Sequence, residues 1–160
     1  MNARGATHWG LVFERFLAAA FTLGLFGCST FSGGNGLSNP VVGAWLVKEP
    51  AAPFPYHMYV FNADGTMQQA NPDAGDETTS DSDGKGVWSA EGQRVRGKWV
   101  EVTADRSTHQ FVGRGELSFD IVVDGNRFAG PAVFRSYDSN GTLVRGPINA
   151  PLAGERVVLP

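Results

Sequence analysis

The stretch FVGRGELSFDIVV, residues 111–123, constrains this chain more than any other. Gly115, Leu117, Phe119, Ile121 and Val123 alternate with Arg114, Glu116, Ser118 and Asp120. Side chains on a β-strand point to opposite faces with period two, so this run is a strand with one apolar and one wet face. Phe128, Gly130, Ala132 and Phe134 repeat the pattern against Arg127 and Arg135, and Val95, Gly97 and Trp99 do so against Arg94, Arg96 and Lys98. From Pro40 onward no segment offers three turns of amphipathic helix.

Short β-rich runs occupy 41–48, 57–62, 66–70, 86–90, 93–103, 111–123, 126–137 and 142–159. Between them NADG (62–65), AEG (90–92), VDGN (123–126) and DSNG (138–141) place Gly or Asn where the backbone must turn. Consecutive strands joined by hairpins make an up-and-down antiparallel sheet, and eight can close on themselves and remove their edges. The expected fold is therefore all-β, an eight-stranded up-and-down antiparallel barrel over 40–160. Gly130-Pro131 interrupts its run and removes a ladder donor, which predicts a bulge or sharp corner. The inward glycines 97, 115 and 130 let strands bend and leave space inside.

Before Pro40 the chemistry changes. Arg4 and Arg15 precede the apolar run Phe16 to Gly27, which is too short to span a hydrocarbon core of about 30 Å and suits an export signal. Leu25-Phe26-Gly27-Cys28 resembles the lipobox of bacterial lipoproteins, with Phe26 bulkier than that pattern favours. The resemblance implies a signal peptide over 1–27, lipidation of Cys28, and a membrane-anchored location at the cell envelope. Ser29 resembles the residue of lipoproteins sorted to a Gram-negative outer membrane. The alternative is a leader cut after the small residues Ala18 to Ala20, with Cys28 a buried thiol. Cys28 is the only cysteine, so no intrachain disulfide forms. Residues 28–39, rich in Gly, Ser and Asn, read as a flexible tether. A net charge of −3 gives no field for nucleic acid or an anionic membrane surface, and neither is expected as a partner.

Gly43-Ala44-Trp45 in the first strand, with Arg156 in the last, resembles the signature of lipocalins and the wider calycins. That resemblance implies that Trp45 closes the barrel floor and that Arg156 packs over its ring as a cation–π contact. The T-D-Y-type second motif is absent, and the plain alternative is Trp45 as ordinary core with Arg156 an outward charge.

Eight aromatics point inward by parity: Trp45, Tyr59, Phe61, Trp88, Trp99, Phe119, Phe128 and Phe134. Apart from Trp45 they are the candidate ligand-binding residues, lining a cavity for a small apolar molecule or packing into a solid core. The proline-rich segment KEPAAPFPY (48–56) joins the first two strands; in the lipocalin picture it lies across the open mouth, with Phe54 and Tyr56 displayed on it. His57 and Glu101 are the weak catalytic candidates, Glu101 because it shares the parity of Trp99.

The acidic loop at 71–86 reads as mobile and solvated. Neither it nor SYDSNG satisfies the EF-hand spacing, so no metal is expected. There is no G-x-S-x-G, P-loop, H-E-x-x-H or C-x-x-C, and no cofactor is implied. Three functions stay open: an envelope-anchored barrel binding a small hydrophobic molecule, a non-hydrolytic isomerase or cyclase, and a filled structural module.

Overall fold

The computed structural model describes residues 39–160, and no helix occurs among them. The signal peptide, Cys28 and all of the expected tether except Asn39 lie outside the described residues. Eleven strands run β1 (Gly43–Lys48), β2 (Tyr56–Phe61), β3 (Thr66–Ala70), β4 (Thr79–Asp81), β5 (Gly84–Glu91), β6 (Arg94–Asp105), β7 (Phe111–Asp124), β8 (Arg127–Gly130), β9 (Ala132–Asp138), β10 (Leu143–Asn149) and β11 (Leu152–Arg156). All pairings are antiparallel.

The order β1-β2-β3-β5-β6-β7-β8-β11 returns to β1, closing an eight-stranded up-and-down barrel. Two of the expected strands are broken. The seventh divides at Pro131 into β8 and β9, since Pro131 has no N–H to donate, although its carbonyl still accepts from the Asp120 N–H at 3.0 Å. The eighth divides at Ala150-Pro151 into β10 and β11, and its pairing ends at Arg156 rather than at 159. The ring is therefore closed by β8 and β11 at one end, while β9 and β10 continue past it. At that second end β10 pairs only with β9, so the barrel is open on its far side.

The closed half is solid. Phe61 makes edge-on contacts with Trp88, Phe119 and Phe128 at centroid distances of 5.9 to 6.3 Å, and Trp45 lies 5.0 Å from Phe128. Glycines face these rings across the sheet: Gly97 sits opposite Phe119 and Gly154 opposite Phe128. A Cβ at either position would strike the ring, so the volume that glycine vacates is occupied by an aromatic. Gly130 lies against the Asp120 and Ile121 backbone. The expectation of empty space behind the inward glycines is thus corrected for this half of the barrel.

The floor is closed from β1 and β11. Trp45 pairs in register with Arg156, whose guanidinium sits 4.2 Å from the indole centroid. Arg156 also donates to the Val42 carbonyl at 2.8 Å and to the Pro40 carbonyl, tying the start of the domain to its last strand. Gly43 has φ +130°, and a Cβ there would come within 2.9 Å of Arg156 Nη1. Glycine is thus required both for the backbone and for the arginine's path.

The acidic loop has an internal architecture rather than a purely solvated course. Asp73 accepts from the Gly75 and Asp81 amides, from Ser80, and from Arg106, while Asp76 caps Thr78 and Thr79. These bonds present β4 to β6.

Candidate functional site

The first loop, the start of β2, and β4, β6, β9 and β10 enclose a cavity of about 120 Å³ at the open end. It adjoins a recess of about 220 Å³, the two sharing Ala74, Asp81, Glu101, Phe134 and Arg145. Trp99 and Phe134 supply aromatic walls, 6.4 Å apart between ring centroids. Ala51, Ala52 and Pro53 place the proline-rich loop against it, and Ile148 and Ala150 complete the apolar surface. The polar lining is Glu49, His57, Asn71, Asp81, Glu101 and Arg145.

Glu49 is the unusual member. It continues the inward parity of Trp45 and Val47 one step past the end of β1, and only 4% of its surface is exposed. Its Oε2 has no hydrogen-bond partner, the sole such buried side-chain atom among the described residues. Burial pushes its carboxyl up to about 7, because the charged form loses hydration without gaining a donor.

The donors of Gln69 and His57 are committed elsewhere. Gln69 is fully buried; its Oε1 accepts from the Gly84 N–H at 2.9 Å, and its amide nitrogen donates to His57 Nδ1 at 3.0 Å and to Asn71 Oδ1. With Nδ1 accepting, the His57 proton resides on Nε2, where it donates to the Phe54 carbonyl at 2.8 Å. Glu49 Oε2 lies 4.0 Å from Nε2, beyond hydrogen-bond reach. Burial lowers the His57 pKa, partly offset by the Phe54 bond, so the ring is neutral and fixed. This is a positioned wall residue rather than a free base.

Glu101 enters from β6, opposite Gly115. A Cβ on Gly115 would crowd Glu101 Oε1 at 2.5 Å and the Phe134 ring at 2.9 Å, so this glycine makes room for the carboxyl. Burial first, then the charges of Asp81 and Glu49, raises the Glu101 pKa to about 7. Beneath both carboxyls, the fully buried Tyr59 accepts from Trp99 Nε1 at 2.9 Å, and burial raises its phenol pKa.

Of the seven expected ligand-binding aromatics, Trp99 and Phe134 reach the cavity. Tyr59, Phe61, Trp88, Phe119 and Phe128 lie in the buried core, the last four interlocked in the closed half. The two weak catalytic candidates, His57 and Glu101, both line the cavity. The first loop contributes its alanines and Pro53, while Phe54 and Tyr56 point outward, 40% and 53% exposed. Sequence reasoning missed Glu49, Gln69 and Arg145. Strand parity, extended through polar residues, finds the first two: Trp45-Val47-Glu49 and Met67-Gln69 each occupy one face.

No family model, curated protein or solved structure matches the chain.

Proposed function

We propose that this protein is a calycin-like binding lipoprotein of the cell envelope, lipidated at Cys28, that holds a small molecule in the open half of its barrel. The single observation that supports the reading is the cavity between Trp99, Phe134 and the first loop, set on a solid aromatic floor. A filled structural module has no use for a recess lined by an unpartnered carboxyl, because such a group costs stability. Even with the adjoining recess of about 220 Å³, the cavity of about 120 Å³ reaches only the low end of the roughly 300 to 1,000 Å³ of sites for drug-sized ligands, which favours a compact guest over a long lipid. The Trp45–Arg156 stack and Gly43 supply the calycin-like part of the reading, and the leader supplies the anchor.

Native mass spectrometry of the full chain, followed by organic extraction, tests the binding. A stoichiometric small adduct is the expected result; a bare protein mass that stays bare after incubation with cell extract would refute it.

One observation favours a second reading. Two carboxyls titrating near neutrality in one cavity suit general acid–base catalysis of the isomerase type. It predicts that the extracted molecule is chemically converted on return to the protein, and that Glu101→Gln stops conversion while binding persists.

A further inference from the structure

We propose that the guest of this cavity is a small organic cation, an amine whose ammonium sits between Glu49 and Glu101 and whose apolar body rests on Trp99 and Phe134. This deepens the binding reading above and rests on it.

One buried acceptor of the cavity lining stands without a donor. Glu49 Oε2 is buried and unpartnered, and the donors of two buried neighbours are engaged: His57 Nε2–H is held by Phe54, and both ends of the Gln69 amide are bonded. Neither group can swing toward Glu49 without breaking a buried hydrogen bond, and the cavity that Glu49 lines gives a guest access to it.

The sign of the charge follows from what faces the space. Glu49 comes from the loop after β1, Asp81 from β4 and Glu101 from β6, three carboxyls in all. His57 on β2 is neutral, and the Tyr59 oxygen accepts from Trp99. The one cation of the lining, Arg145 on β10, stands exposed at the mouth and makes no ion pair among the described residues.

An anionic guest would meet three carboxyls, and a neutral one would bring no charge to offset Glu49 and Glu101 once they ionise. An ammonium donates to both and offsets their charge. Trp99 and Phe134 add ring faces that attract a cation and cover an apolar body.

Titration calorimetry on the full chain with benzylamine, benzyl alcohol and benzoate, which share a shape and differ in charge, tests this. Near pH 8, where both carboxyls ionise, benzylamine should bind about 10- to 100-fold more tightly than benzyl alcohol, with benzoate weakest. The preference should shrink near pH 5.5 and collapse in Glu49→Gln and Glu101→Gln. Binding of benzyl alcohol or benzoate as tight as benzylamine, or a preference that survives both substitutions, overturns the inference. So does a failure of all three probes alongside a co-purifying neutral or anionic molecule, which leaves the binding reading standing. If the probes fail and the native mass is also bare, both readings fall. Should either variant unfold, the three-probe comparison on the wild-type chain still decides.

Discussion

Replacing Glu49 with Gln tests whether the open end of the barrel is a dry, donor-poor recess. Raising this carboxyl from 4.5 to about 7 makes its ionisation costlier in the folded chain by about 3 kcal/mol. The sign is set by which state keeps the proton. Between about pH 4.5 and 7 the unfolded chain has released it and the folded chain has not, so stability falls as pH rises through that window and is level outside it. Glu49→Gln removes this loss: the variant should match wild type to within about 1 kcal/mol near pH 4 and exceed it by up to about 3 kcal/mol near pH 8. Some slope should persist, because Glu101 is raised by its own burial and by Asp81 as well as by Glu49. Urea unfolding followed by tryptophan fluorescence at stepped pH provides the curves. Wild-type and variant stabilities running parallel from pH 4 to 8 would show that Glu49 is solvated or paired, and the cavity chemistry would have to be abandoned.

Other consequences are equally direct. Arg156→Ala removes the stack on Trp45 and the bonds to the Val42 and Pro40 carbonyls, and should cost about 2 to 4 kcal/mol in denaturant unfolding. Arg156→Lys should recover less than half of that, since an ammonium cannot stack and fork together. Gly97→Ala would drive a methyl into the Phe119 ring and to 2.8 Å from the Val87 carbonyl oxygen; an expected loss of about 1 to 3 kcal/mol is read from the same unfolding curves. Cys28→Ser should abolish the acyl mass increment on the intact protein and release it from membranes on fractionation, whereas an unchanged mass would return Cys28 to the role of an ordinary thiol.

The barrel was legible because its strands carry one-sided alternation and its turns carry Gly and Asn at the right places. Residues 111–123 alone specify which face is dry, and the burial of Gly115, Leu117, Phe119, Ile121 and Val123 follows that parity. The break at Pro131 was legible for the same local reason, a missing donor. Whether the interior is hollow is a cross-strand property. Gly97 reads as a void until its register partner is known to be Phe119, and Gly154 until its partner is known to be Phe128. Sequence order does not supply that pairing residue by residue.

The candidate site was hidden by a different habit, that of ending a buried face at the first charged residue. Glu49 and Gln69 continue the inward rows of Trp45-Val47 and Met67, yet a carboxyl and an amide read as surface until the cavity that receives them is seen. Glu101 was found because its parity with Trp99 was followed through the charge. In the acidic loop, Asp-x-Thr and Asp-x-Gly spacings encode local side-chain-to-amide bonds, which a reading by composition alone treats as solvated charge.

A guest that enters the open half leaves the closed half untouched. The indole N–H resonances of the full chain report on both at once, since Trp99 lines the cavity while Trp45 and Trp88 lie in the closed core. A titration with benzylamine should give a saturable shift of the Trp99 indole, whose N–H is bonded to Tyr59, with Trp45 and Trp88 unmoved. Shifts led by Trp45 or Trp88, or no shift in any of the three at millimolar ligand, would contradict it.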